Sequence, residues 1–209
     1  MSTAAARRLV LLRHGQTSWN VVLRAQGETD IPLDETGHAQ ATAAADVLAA
    51  LDPSRLWCSD LTRARETASY VASATGLEPV LDPRLQELHL GERAGLTPPE
   101  FAEAFPDEHA RWRRTGYAHV PGAETREELL ARSVPALQDC LDALAPGETG
   151  VAVGHGWSLK AAVVGLLGLP PEADRVIRGM SNCGWGVLVA DPDGRTRLDS
   201  WNVQAPSPA

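Results

Sequence analysis

Arg13, His14 and Gly15 follow the apolar run Leu9–Leu12 without a spacer. A buried strand therefore ends on a guanidinium, an imidazole and a residue that lets the backbone turn. One reading is a surface turn that happens to hold Arg and His. The other is a phosphate site with a nucleophilic histidine, because a planar guanidinium grips a phosphate in a bidentate fork. The same design recurs at "VAVGHG", where an apolar run ends on His155 and Gly156. Ligands of open parallel sheets bind outside the carboxyl ends of the strands, so His14 and His155 are expected at one shared edge.

Two further groups complete the candidate chemistry. Arg63, in "SDLTRARETA", falls in the first turn of an expected helix, where backbone N–H groups and the helix dipole favour an anion. Arg65 points to another face and reads as a surface cation near Glu66 or Glu78. Glu87, in "RLQELHLGERAGLT", is the candidate general acid, and His89 shares its face if the stretch is extended. An acid in that role needs apolar surroundings that favour its protonated form. From spacing alone, a solvated loop carboxylate is the simpler reading of Glu87. A metal centre is not expected: HExxH, HxH and paired Asp motifs are missing, and Arg13 beside His14 opposes a cation.

Elements that could position these groups are legible in the hydrophobic pattern. Strands are expected over "RLVLLR", "RLWCS", "LEPVL" and "TGVAVG", and as a pair in "GWGVLVADPDGRTRLDSWNV" that turns at Asp193-Gly194. Asp34 reads as the N-cap of a helix whose apolar face is Ala44, Val47, Leu48 and Leu51. Asp60 reads as the cap of the helix bearing Arg63, which Gly76 ends. Leu130, Val134, Leu137, Leu141 and Leu144 form a later helical stripe that Pro135 is expected to kink or restart. The alternation implies an α/β fold: a three-layer sandwich with a mostly parallel central sheet and helices on both faces. Residues 92–124, rich in proline, read as a small inserted cap over one edge of the sheet within a single domain spanning 1–209.

Composition narrows the partners. With 27 acidic residues against 19 basic ones the chain carries a net charge of −8, which argues against nucleic acid or an anionic membrane. Lys160 is the sole lysine. Cys58, Cys140 and Cys183 are scattered without a CxxC pair and read as reduced thiols of a cytoplasmic protein. The run after Arg7 and Arg8 is too short for the apolar core of a signal peptide, "AAVVGLLGL" is too short to span a bilayer, and the terminal "APSPA" is expected to fray.

The blocks "LVLLRHGQTSWN", "QGETDIPLDETGHAQA", "SDLTRARETA", "LQELHLGERAGLT" and "VAVGHG" occur in the order seen in the histidine phosphatase superfamily, and the chain resembles its cofactor-dependent phosphoglycerate mutase-like branch over roughly residues 8–168. The resemblance implies that His14 is the phosphorylated nucleophile and Glu87 the proton donor. It implies a phosphate pocket of Arg13, Arg63 and a protonated His155, with Thr17, Asn20, Gly27 and Gly156 around the substrate. No cofactor or metal is implied; relatives are often dimers, so a homodimer is one assembly the resemblance allows, and the sequence leaves the oligomeric state open. The later blocks "GMSNCGW" and "RLDSWNVQA" are similar to actinobacterial members, notably the glucosyl-3-phosphoglycerate phosphatases. One departure stands out: many phosphatases of the family carry Trp after "GE", where this chain has Arg93, a position expected to border the pocket entrance.

The resulting expectation is a phosphomonoester hydrolase acting on a small phosphorylated metabolite. A mutase is the alternative, disfavoured by the short span between Glu87 and His155 and the short tail after Trp201. A phosphate-binding module without turnover is disfavoured by the complete residue set. Within the insertion, Arg111, Arg113 and Arg114 cluster, and Arg111 and Arg114 are candidates to hold a second anionic group such as a glycerate carboxylate.

Overall fold

Residues 9–12 are fully buried, so their strand must be covered on both faces. In the computed structural model, which describes residues 5–206, strand β1 (Arg7–Arg13) lies inside a six-stranded sheet. The other strands are β2 (Arg55–Cys58), β3 (Val80–Leu81), β4 (Thr149–Gly154), β5 (Trp185–Ala190) and β6 (Thr196–Val203). Their order is β3-β2-β4-β1-β5-β6. The first four run parallel, whereas β5 and β6 pair antiparallel. The stretch "LEPVL" contributes only two residues to the sheet, both exposed.

Side-chain alternation divides β1 between two cores. Val10 and Leu12 pack with helices α2 (Glu35–Ala49) and α3 (Thr62–Thr75), against Ala41, Ala44, Ala45, Leu48, Ala64, Ala68 and Val71. Leu9 and Leu11 pack on the opposite face with α6 (Arg126–Asp142) and α7 (Gly156–Leu166), against Leu137, Leu141, Leu159 and Val163. The result is a mixed, mostly parallel sheet sandwiched between two helical layers. On α2 the buried stripe is Ala41, Ala44, Ala45 and Leu48, and Leu51 lies beyond the helix end with 41% of its surface exposed. The helix α6 continues through Pro135 from Arg126 to Asp142. Among the described residues, no helix is long and apolar enough to cross a membrane.

Between Glu87 and α6, the insertion folds as α4 (Pro98–Ala104) and α5 (Pro106–Thr115). It has a small core of its own, in which Phe101, Ala118 and Val120 are buried with Leu96, Phe105 and Trp112 against them. The short helix α1 (Ser18–Val21) follows the β1 turn. Residues 1–4 and 207–209, including the end of "APSPA", lie outside the described residues.

The turn after β1 is set by two glycines in mutual contact. A Cβ at Gly15 would stand 2.6 Å from the carbonyl oxygen of Gly37, and one at Gly37 would stand 2.1 Å from that of Gln16. Both obstacles are backbone, so no rotamer change can relieve them. Asp34, the N-cap of α2, accepts from the Gly37 N–H at 2.8 Å and the Gln16 side chain at 3.1 Å. The same capping residue therefore starts the helix and holds the loop that follows His14. Gly37→Ala should push this loop off α2 and cost about 1–3 kcal/mol, read as a fall in melting temperature of roughly 3–10 °C. An unchanged melting temperature would show that the two backbones can part freely.

Candidate active site

Parallel pairing of β1 with β4 sets Arg13 beside Gly154, so the next residues of both strands, His14 and His155, emerge side by side. Their ring centroids are 5.2 Å apart and both side chains are buried. The Nδ1 of His14 lies 2.7 Å from the carbonyl oxygen of Gly15. A carbonyl only accepts, so Nδ1 carries the hydrogen and donates. Burial first, and then the charges of Arg13 and Arg63, hold the His14 pKa well below its ordinary value. The ring is therefore neutral and its Nε2 lone pair is free.

His155 is the neighbouring ring, which the sequence expects to be protonated beside a phosphate. It is buried among cations, and burial, followed by Arg63, His14 and Arg13, keeps its pKa well below normal. Its Nε2 is 2.9 Å from Ser59 Oγ, while Nδ1 is buried without a partner.

Both arginines are held by carbonyl oxygens, which anchor a guanidinium without a carboxylate bonded to it. Arg13 Nη1 donates to Met180 O. Gly156 lets the backbone lie against this side chain, since a Cβ there would meet Arg13 Nε at 3.1 Å. Arg63 is fully buried and donates to Thr29 O at 2.8 Å and Gly27 O at 2.6 Å. Burial lowers its pKa to about 10, so it remains charged at neutral pH. Thr67 Oγ1 accepts the Gly15 N–H at 3.0 Å and donates to Arg63 O at 2.7 Å, fastening the β1 turn to α3. The N-terminus of α3 is not capped by Asp60 as expected. Asp30 reaches it from a distant loop and accepts from the Thr62 N–H and hydroxyl, while Asp60 accepts from Gln86.

Glu87 sits at the N-terminus of α7, not in apolar surroundings. One carboxylate oxygen accepts from Ser158 N at 2.8 Å and Leu88 N at 3.0 Å, and the other from Trp157 N at 3.0 Å. His155, the N-cap residue of α7, makes no side-chain cap; Glu87 supplies that cap from another segment. Arg132 of α6 fixes the segment by donating to the carbonyls of Arg84, Gln86 and Glu87 while paired with Glu124 at 2.6 Å. His89 points away, is exposed and lies 2.9 Å from Gly122 O.

A cavity brings together Arg13, His14, Asn20, Gly27, Arg63 and Glu87. Thr17, Gly156 and His155 stand behind its wall: Thr17 is buried and caps α1 reciprocally with Asn20. Asn20 Oδ1 takes bonds from Thr17 and Asn182. Arg111 and Arg114 do not line the cavity. The helix α5 turns Trp112 inward, so its neighbours at one and two positions face elsewhere. Arg111 is exposed and lies 3.7 Å from Glu108, and Arg114 borders an open groove with Arg113, Lys160 and Arg175. Arg93 does line the cavity, as do Arg24, Gln26, Leu88, Leu90, Trp112, Tyr117 and Trp157, which sequence reasoning missed. No local pattern marks them, because they converge from four separate segments. Glu87 is the only acidic residue in the lining against four arginines, so the cavity is a positive site in a negative protein.

The buried imidazoles couple stability to pH. Folding holds both below the ordinary value of 6.5, so below that pH the unfolded chain binds more protons than the folded one. Stability is full above this value and is lost as the pH falls, at up to about 1.4 kcal/mol per pH unit for each imidazole. In denaturant titrations from about pH 7.5 down to about pH 5, the wild type should lose stability more steeply than His155→Gln. Equal slopes would mean that His155 titrates alike in both states.

Comparison with known proteins agrees with this geometry. The family model described as "Histidine phosphatase superfamily (branch 1)" matches residues 9–204. A glucosyl-3-phosphoglycerate phosphatase of Mycolicibacterium vanbaalenii is 38% identical over 95% of this chain and 96% of its own length. A probable phosphoglycerate mutase of Cronobacter sakazakii is 38% identical over 84% of this chain and 81% of its own. Among solved structures, a mycobacterial glucosyl-3-phosphoglycerate phosphatase in complex with VO3 superposes with a TM-score of 0.87 at 39% identity, covering 95% of this chain and 100% of that one. With a family match over residues 9–204 and relatives 38% identical over nearly its whole length, this chain belongs to the histidine phosphatase superfamily, branch 1.

Proposed function

We propose that this protein hydrolyses phosphomonoesters of small metabolites through a phosphohistidine on His14, and that its substrate is a phosphoglycerate derivative such as glucosyl-3-phosphoglycerate. The observation that carries the mechanism is the neutral His14 ring, tied through Nδ1–H to Gly15 O and open at Nε2. That nitrogen attacks phosphorus as the bond to the leaving oxygen breaks, splitting one difficult displacement into two. Arg13 and Arg63 balance the charge on the phosphoryl oxygens, which is the main source of catalysis in phosphoryl transfer.

Glu87 gives its proton to the leaving alkoxide in the first step. In the second it takes a proton from water, whose oxygen attacks phosphorus while the bond to Nε2 breaks and restores the free imidazole. Burial first, and then Arg63, His14 and Arg13, hold the pKa of His155 low; an arriving dianion opposes the arginine charges and favours the protonated ring, whose charge then adds to theirs.

Hydrolysis is favoured over mutase chemistry because the similarity to the phosphatases covers more of the chain than that to the probable mutases. The three thiols are buried and unpaired, which supports a reducing, cytoplasmic setting.

Mixing with a phosphorus-labelled phosphomonoester, followed by a quench that avoids acid, should trap an acid-labile, base-stable label that His14→Ala lacks. Turnover by a wild type that never acquires label would remove His14 from the nucleophile role. Glu87→Gln should slow an alkyl phosphate at least about tenfold more than p-nitrophenyl phosphate, because general acid catalysis is worth roughly 100-fold or more and a good leaving group needs little of it. Equal losses on the two substrates would deny Glu87 the proton transfer.

A further inference from the structure

The cavity holds a guanidinium that the chemistry above does not use. Arg93 ends the single helical turn Gly91–Arg93 and lines the same cavity as His14. Its guanidinium carbon lies 4.7 Å from the ring centroid of Phe101 and 4.8 Å from that of Trp112. Phe101 is itself buried in the core of the insertion, so the clamp is not a chance surface contact. The other spare cation of the cavity, Arg24, is engaged by Glu100 at 3.1 Å. Arg93 has no carboxylate partner and no side-chain hydrogen bond among the described residues. Burial alone lowers its pKa, to about 10, with no acidic neighbour opposing the shift. It therefore stays charged at neutral pH.

A partly desolvated charge without a counter-ion is costly. Contact with two aromatic rings offsets part of that cost but satisfies none of the five N–H donors, which stay in a fixed planar fork suited to a carboxylate. Charge matching points the same way. A phosphoryl dianion balances Arg13 and Arg63, Glu100 balances Arg24, and Glu87 is uncharged when it carries the proton it donates. One positive charge remains, on Arg93, and a monoanion matches it.

We propose that Arg93 is the specificity-determining anchor for a carboxylate on the phosphomonoester substrate. The inference rests on the phosphatase reading of the site. It assigns to Arg93 the contact that the sequence offered to Arg111 and Arg114, which lie outside the cavity.

The test compares 3-phosphoglycerate with glycerol 3-phosphate, which has a hydroxymethyl group in place of the carboxylate. The ratio of kcat/KM for the two should fall about tenfold to a hundredfold in Arg93→Met, through KM of the carboxylate substrate. It should fall less in Arg93→Lys, which keeps the charge without the fork, and stay at the wild-type value in Arg111→Ala and Arg114→Ala. Calorimetric binding of the same two compounds on a His14→Ala background reads the preference without turnover. A wild type that hydrolyses neither compound sinks the phosphatase reading, while the binding ratio still decides the role of Arg93. A ratio unchanged in both Arg93 variants, or lost instead in Arg111→Ala or Arg114→Ala, overturns the anchor.

Discussion

Arg63 and two imidazoles are packed at the carboxyl edge of one sheet with almost no access to water, with the half-buried Arg13 beside them, and most of the site follows from that crowding. Like charges at this range repel strongly once solvent is excluded. The arginines remain charged because a guanidinium holds its proton far more tightly than an imidazole. The histidines yield: burial first, and then the arginine charges, hold both pKa values well below normal. A neutral ring fixed through one nitrogen by a backbone carbonyl is a nucleophile at the other. The environment that keeps His14 neutral is thus also one whose charge suits an anion.

The partners of the arginines obey the same constraint. Carboxylates would neutralise them and close the site to phosphate, and carbonyl oxygens do not. Met180, Thr29 and Gly27 supply carbonyls, and the Nε atoms of Arg13 and Arg63 are left buried without an acceptor. Unsatisfied buried donors are rare in folded proteins and call for an explanation. Arg13 and Arg63 both line the cavity that holds His14, whereas a third such Nε, that of Arg126, lies beside Asp174. The one acid admitted, Glu87, is bound to the N–H groups of a helix end rather than to a guanidinium, which leaves the cation pair available to substrate.

Much of this was legible in the chain because local rules govern it. The apolar runs ending in Arg13-His14 and in Gly154-His155 specify buried parallel strands, and adjacency of β1 and β4 then makes the two histidines neighbours. Gly76 ends α3 in the left-handed region with φ of 73°, as its type suggests. The failures are equally physical. Asp60 lost the cap of α3 to Asp30, which lies far away in sequence, because a cap needs only an oxygen in reach and a loop can supply it. For His155, expected to be protonated beside a phosphate, a linear reading does not show the burial that, before the arginine charges, holds its pKa low. Ser59, Thr67 and Arg132 gave no signal, since their roles exist only once three segments have converged.

The cap divides the labour between reaction and recognition. Phe101, Ala118 and Val120 form a core separate from the two that hold the sheet. A change within the cap therefore alters the outer wall of the cavity without disturbing the strand ends that carry His14 and His155. Contacts between the two parts include the Leu90–Ala123 bridge, the bonds of Ala25 with Gly95 and Leu96, the Arg24–Glu100 and Arg132–Glu124 pairs and the Tyr117–Trp157 stack. Substitutions that are far apart and share no partners act nearly additively. Such a fold can keep one phosphoryl-transfer apparatus while the residue at position 93, and the aromatic clamp around it, selects what is attached to the phosphate.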